Sequence, residues 1–385
     1  MIATIPTELV QQIVEEIDDT RSLKSCSLVA SLFRVPSQRM LLDTLSLGDR
    51  SPQYLAAKKL LIDSPHIIPY IRALRFRVDW LGYATAASVE AFRFMLNTLT
   101  RVRRLAILGI PASTWDSLHR VTCSILDFIR TPAVEEVYIS NIAHIPTSVL
   151  SELISSVRTL AFKSVTIQQE EYGTIIPVQA QGEPQMQALL LLLGSNGLRA
   201  WMQPHLLANL HTLTLIPSDV DWNLLSAASS TLQHLRFDST VTPTIATTRS
   251  WKFPQLSSLR TLSVLATYNG DMTWLPSALS SLLPSLTAGT LRSIHIIYTT
   301  RLRASQQYYL QPSIFSLMDS TLHESLPACR VQCSITFGEE TPRKPQFGRF
   351  VAFVKGGMPK LSGSGRLGFV HLGLMELREY RWYGL

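Results

Sequence analysis

Leu210-His211-Thr212-Leu213-Thr214-Leu215 is one copy of a phrase, apolar-x-x-apolar-x-apolar, that recurs down most of the chain. Written by their apolar residues, earlier copies are Ile71, Leu74, Phe76; Val102, Leu105, Ile107; Val134, Val137, Ile139; and Val157, Leu160, Phe162. Later copies are Leu232, Leu235, Phe237; Leu259, Leu262, Val264; and Leu291, Ile294, Ile296, with a weaker one at Val331, Cys333, Ile335. Alternation inside the phrase is the period of a strand with one buried face. Between copies lie stretches whose pattern predicts helices, such as 88–99, 147–156 and 276–283.

Strand, connection, helix and return make a βα succession, which is right-handed where parallel strands are joined. Each unit is too small to bury its own apolar face, so neighbours must stack. The pattern resembles a leucine-rich-repeat solenoid, and that resemblance implies parallel strands on a concave side and helices on a convex one. The spacing is irregular: Leu74 to Leu105 is a step of about thirty residues, against roughly 20–29 in the regular repeat. The double-length step from Leu160 to Leu213 is read as a polar excursion (168–187), a helix over 189–193 and a degraded repeat near Leu198 to Trp201. The regular family places Asn or Cys three positions beyond the last strand residue. Here those positions hold Asp79, Ile110, Ile142, Val165, Ser218, Thr240, Thr267 and Thr299, so no asparagine ladder is expected. The rival fold is a doubly wound α/β sheet, whose strands are usually longer apolar runs and do not repeat one phrase.

Ahead of the repeats the chain reads Ile5-Pro6-Thr7-Glu8-Leu9, then Ile13 and Ile17, then Leu23, Cys26-Ser27-Leu28-Val29, Phe33-Arg34 and Leu41-Leu42. Pro6 suits the first turn of a helix, where its missing amide would be unpaired, and Thr4 suits the N-cap. Leu9, Ile13 and Ile17 at four-residue steps form one helical stripe. Asp18 and Asp19 mark a turn into a second helix bearing Leu23, Cys26, Leu28 and Val29. A third helix is expected from about Val35, with Pro36 in its first turn and Met40, Leu41 and Leu42 inward.

This string resembles an F-box, the adaptor-binding module of Skp–cullin–F-box ubiquitin ligases. Pro6, Leu9, Ile13, Ile17, Leu28 and Val29 occupy the family's usual adaptor-facing positions. After Leu-Val the family commonly has Cys-Lys/Arg-x-Trp; this chain has Ala30, Ser31 and Phe33, which keeps an aromatic but not the basic residue. With divergent repeats behind it, the chain is similar to the F-box-like proteins of fungi. The expected class is therefore α/β: a three-helix F-box-like module over 1–47, then an irregular leucine-rich-repeat solenoid over 48–385 with a C-terminal cap. The resemblance implies a non-catalytic substrate receptor that holds a Skp-type adaptor, and through it a cullin, and presents an unknown protein substrate for ubiquitin-dependent degradation. The alternative is an interaction scaffold whose N-terminal helices only cap the repeats.

Composition agrees with a folded body. The 385 residues are 46% hydrophobic and only 16% charged, ample for a sizeable core. Cys26, Cys123, Cys329 and Cys333 have no framework spacing, no Asn-x-Ser/Thr acceptor occurs, and no basic stretch leads into an apolar run at the N-terminus. A reducing setting, cytoplasm or nucleus, is expected, with no membrane span. None of the net charge of +7 comes from the first fifty residues, where Glu8, Glu15, Glu16, Asp18, Asp19, Asp43 and Asp49 outnumber Arg21, Lys24, Arg34, Arg39 and Arg50. The body is basic without a Lys/Arg run, so nucleic acid is not the expected partner.

Signals of catalysis are weak. Gly363-Ser364-Gly365-Arg366-Leu367-Gly368 spells G-x-G-x-x-G, but a phosphate loop needs a strand before it and a helix after it. The better reading is a glycine turn before a short strand over 367–372, itself preceded by a helix over 350–355 that Gly356 and Gly357 end. Cys329 and Cys333 have no second ligand pair for zinc and are expected in the core. No cofactor or metal is implied. A partner would instead meet the middle, outward residue of each strand phrase: Arg75, Tyr138, Arg236 and His295 are the candidate substrate contacts, since Arg and aromatic anchors dominate interface energies. Arg378 to Trp382 is expected to help cap the open end of the repeats.

Overall fold

A computed structural model describes residues 5–17, 20–48, 50–78, 84–110, 113–168, 185–192, 198, 202–217, 220, 222–239, 251–267, 272–287, 289–299, 312–336 and 343–372. The chain divides into two compact units, Met1–Met186 with Gly194–Leu198 and Gln187–Leu193 with Arg199–Leu385.

The first unit opens with three helices, α1 (Thr7–Glu15), α2 (Thr20–Val29) and α3 (Ser31–Leu42). Pro6 stands just before α1 rather than in its first turn: its φ of −55° and ψ of 139° are extended, and its carbonyl accepts from the amides of Leu9 (3.1 Å) and Val10 (3.2 Å). Thr4, Asp18 and Asp19 lie outside the described residues. The third helix begins four residues earlier than expected, so Pro36 is interior to it. Its ring leaves the Leu32 carbonyl without the usual i+4 amide. Val10, Val14 and Leu23 close the centre of this module, with Ile17, Phe33, Met40 and Leu41 packed on them.

Five strands follow: β1 (Thr44–Leu47), β2 (Ala73–Arg77), β3 (Arg104–Leu108), β4 (Glu136–Ile145) and β5 (Thr159–Ile167). Each is parallel to the next in chain order. The register stacks equivalent positions of the phrase, Leu74 on Leu105 on Val137 on Leu160, and all four are closed to solvent. Helices α4 (Ser51–Asp63), α5 (Ala86–Thr98), α6 (Thr122–Ile129) and α7 (Thr147–Ser156) fall between the strands, each packed on the next. Strand β1 lies outside the expected repeats and ends at residue 47, the expected end of the helical module.

Strands β4 and β5 run past the phrase because both bend at one level. Asn141 and Ser164 have positive φ (54° and 51°), as does His144 (57°), and the register shifts between Ile142 and Ile145. Gly109 makes room for this bend. A Cβ there would meet the Asn141 carbonyl oxygen, whereas the Gly109 amide donates to the Ser140 carbonyl (2.7 Å).

In the second unit seven strands again pair in chain order and all parallel: β6 (Ala188–Leu191), β7 (Thr212–Leu215), β8 (His234–Asp238), β9 (Thr261–Thr267), β10 (Ser293–Thr299), β11 (Arg330–Thr336) and β12 (Leu367–His371). The expected helix over 189–193 is instead β6. Its leucines are buried whichever way they alternate, and a short run apolar on both faces carries no period that separates strand from helix. Of the degraded repeat expected beyond it, Leu198 is buried and Trp201 lies outside the described residues. Among the described strands of each unit the order does not reverse, so they form no switch point of a doubly wound sheet. Hydroxyls do part of the work an asparagine ladder would do. Ser239 donates to the Leu265 carbonyl (2.9 Å) and Thr299 to that of Ala266 (3.3 Å); Asp79, Ser218 and Thr240 lie outside the described residues.

The helix Arg343–Gly357 overruns its expected span at both ends, and a short helix, Pro359–Gly363, precedes β12. The buried carboxylate of Asp319, on the helix Pro312–Ser325, starts that short helix by accepting from the amides of Lys360 (2.9 Å) and Leu361 (2.8 Å). Two charge-assisted bonds in a buried site are lost in Asp319→Ala, which should lower unfolding stability by about 3 kcal/mol in urea titrations. Asp319→Asn, which keeps one acceptor oxygen, should lose roughly half as much. Equal and small losses would contradict this role.

Candidate functional site

Apolar residues of α1 fall on two adjoining stripes. Val10 and Val14 turn into the module, while Leu9 and Ile13 turn out and are 49% and 50% exposed. Ile17, expected to continue the outer stripe, joins the inner cluster. The cause is local: α1 ends at Glu15, and the Ile17 amide bonds the Val14 carbonyl (3.1 Å) three residues back, so the four-residue period no longer holds there. Leu28 and Val29, at the end of α2, are 84% and 79% exposed, and Ile5, Leu32 and Val35 are also open. Pro6 is exposed beside Ile5. Five of the six expected adaptor contacts are therefore open to solvent and one is not. Ile5, Leu32 and Val35 escaped the sequence reading, although the twin stripes at 9/13 and 10/14 were visible; periodicity does not say which of two adjoining stripes faces out.

Fully burying a large aliphatic side chain yields about 1.5–3 kcal/mol. Covering half-exposed Leu9 and Ile13 and nearly bare Leu28 and Val29 would thus yield roughly 5 kcal/mol before association costs of about 4–15 kcal/mol. The face is therefore suited to a partner that adds polar contacts around this apolar centre.

The candidate substrate residues lie on two rows of the sheets. In the first unit the register sets Ser46, Arg75, Ala106, Tyr138 and Ala161 side by side. Tyr138 was expected to project outward, but it is only 3% exposed between two alanines, and burial pushes its phenol above the usual range. The Ser140 hydroxyl and the Arg75 charge oppose that shift, so Arg75 and Tyr138 do share one environment. Arg104, in the neighbouring row, pairs with Asp43 at 2.7 Å. In the second unit Thr214, Arg236, Ser263, His295 and Gln332 stand in register. Arg236 and His295 are half-buried. Burial, and then the charge of His234, lowers the His295 imidazole, which stays neutral more readily than a free histidine.

The remaining chemical candidates resolve structurally. Cys329 and Cys333 are buried, and burial pushes their thiols up to about 11 and about 12. A thiolate is the reactive form, so a disulfide reagent should modify exposed Cys123 quickly and leave Cys329 and Cys333 unmodified until denaturant is added; early labelling of either would contradict their placement. The glycine run follows a helix and leads into β12, the reverse of a phosphate loop, and Gly365 supplies the positive φ (69°) of the turn. Among the described residues no cluster of metal-binding side chains occurs, and no helix is long and apolar enough to cross a membrane. The residues expected to cap the repeats, Arg378 to Trp382, lie outside the described residues.

No protein-family model matches the chain, and no curated protein matches it significantly in sequence.

Proposed function

We propose that this chain is the substrate-recognition subunit of a Skp–cullin–F-box type ubiquitin ligase. Its three N-terminal helices dock a Skp-type adaptor, and its leucine-rich-repeat body holds a protein substrate. The carrying observation is the open apolar face: Leu9, Ile13, Leu28 and Val29 stay exposed although the same module closes Val10, Val14 and Leu23. A helical cap with no partner would gain by placing polar residues there. The F-box-like order of residues names the partner class. The receptor needs no chemistry of its own; it raises the effective concentration of a substrate lysine near the charged transfer enzyme.

The scaffold reading has one observation in its favour. Helix α3 packs on the turn Pro65–Tyr70, Arg39 lies over the Tyr70 ring at 5.6 Å, and Asp43 holds Arg104, so the module is tied to the first strands. Retention of a purified Skp-type adaptor by the immobilised full chain decides between the two. The receptor reading requires retention that Leu9→Asp with Ile13→Asp removes; the scaffold reading requires no retention in either case.

A further inference from the structure

Every strand from β7 to β12 brings a basic residue to the sheet edge where the strands begin: His211, His234, Arg260, Arg292, Arg330 and Arg366. Backbone bonds join these positions from strand to strand. The amide of His234 donates to the His211 carbonyl (2.9 Å), that of Arg292 to Arg260 (2.8 Å), that of Arg330 to Arg292 (2.9 Å) and that of Val331 to Arg366 (2.9 Å). His234, Arg260, Arg292 and Arg330 are exposed, and His211 and Arg366 half-buried. The neighbouring edge positions are Gln187, Thr212, Gln233, Thr261, Ser293 and Cys329, none of them acidic. Among the described residues Arg260, Arg292 and Arg330 have no acidic partner. Adjacent strands stand about 4.8 Å apart, and the register sets His211, Arg260 and Arg292 in one row and His234, Arg330 and Arg366 in the next, so like charge gathers at this end of the sheet. Partial desolvation first, and then the charges of Arg260 and His211, lower the His234 imidazole, so the arginines carry most of the charge here.

We infer that this edge docks an acidic, extended segment of a partner protein. Five strand steps span about 24 Å, the length of roughly seven residues of extended chain. Guanidinium groups prefer carboxylates, which they can bind with two parallel hydrogen bonds. The edge positions hold no Phe, Tyr or Trp on which bases would stack, which favours a peptide over single-stranded nucleic acid. The inference rests on the receptor reading only in making that partner the substrate; the docking itself needs no adaptor.

The test is fluorescence anisotropy of the full chain with a labelled twelve-residue Asp/Glu-rich peptide, its Lys counterpart and a single-stranded DNA of equal length. The acidic peptide should bind, more weakly as salt rises. Arg260→Glu with Arg292→Glu and Arg330→Glu should weaken it by about 30-fold or more. The same number of reversals in the first unit (Lys59→Glu, Arg72→Glu, Arg101→Glu) should change it less than about threefold, and Arg292→Gln alone should give an intermediate loss should the triple variant melt early. Equal weakening by both triple variants, preference for the DNA, or no binding above the Lys peptide would overturn the inference. Adaptor retention measured on the same variants separates the two proposals: lost peptide binding with adaptor retained supports the edge, and a chain that binds peptide but no adaptor refutes only the receptor reading.

Discussion

Leu9→Asp with Ile13→Asp should weaken binding of a purified Skp-type adaptor at least 100-fold in calorimetric titration, without lowering the thermal midpoint of the free chain. Two half-exposed aliphatic side chains would lose about 1 kcal/mol of burial each, and two carboxylates would enter an apolar interface at a further cost of several kcal/mol. The free chain tolerates the change because both positions already face water. Val10→Asp is the contrasting variant. Val10 is closed against Val14 and Leu23, so a carboxylate there has no partner and should unfold the module along with abolishing binding. Leu28→Ala, which removes the most exposed of these side chains, should cost binding without cost to stability. A double aspartate variant that binds as tightly as the unaltered chain would end the ligase proposal, and so would an unaltered chain that does not bind.

The repeat phrase carried most of the fold. Each of its copies became a strand, because Leu74, Leu105, Leu213 and their equivalents alternate at the period that buries one sheet face. What alternation does not encode was missed. Strand β1 is four residues with only Leu47 buried, and β6 is apolar throughout, so neither shows a period. The bend at Asn141 and Ser164 arises from two strands adopting positive φ at one level, a fit between neighbours that no single stretch reveals. In the module the residue types were legible but their direction was not: Ile17 turned inward because the helix stopped before it. Tyr138 shows the same limit in the sheet, since its position in the phrase gave its row but not its burial. The basic edge was hidden for a related reason. Its members are about twenty to forty residues apart, so no charge run exists until parallel pairing gathers them, in two neighbouring rows, at one end of the strands.

Phe237→Ala should be among the most damaging single substitutions in the second unit. Phe237 is buried with three rings packed around it, Trp251 at 5.8 Å, Phe253 at 6.5 Å and Trp274 at 5.5 Å, all near edge-on. Trp251 stacks on both Phe253 (5.8 Å) and Trp274 (5.4 Å), and Trp222 meets Trp251 and Phe253 edge-on. These are rigid rings that relax poorly into a void, so truncation should cost about 4–5 kcal/mol, the upper part of the range for a buried phenylalanine. Trp274→Phe tests the same cluster with the opposite expectation. Among the described residues the Trp274 indole Nε1 is buried without a hydrogen-bond partner, and removing that donor offsets part of the lost packing, so the loss should stay below about 1.5 kcal/mol. Urea unfolding followed by tryptophan fluorescence measures both. Losses of similar size for the two variants would show that ring packing around Phe237 does not carry the stability of this unit.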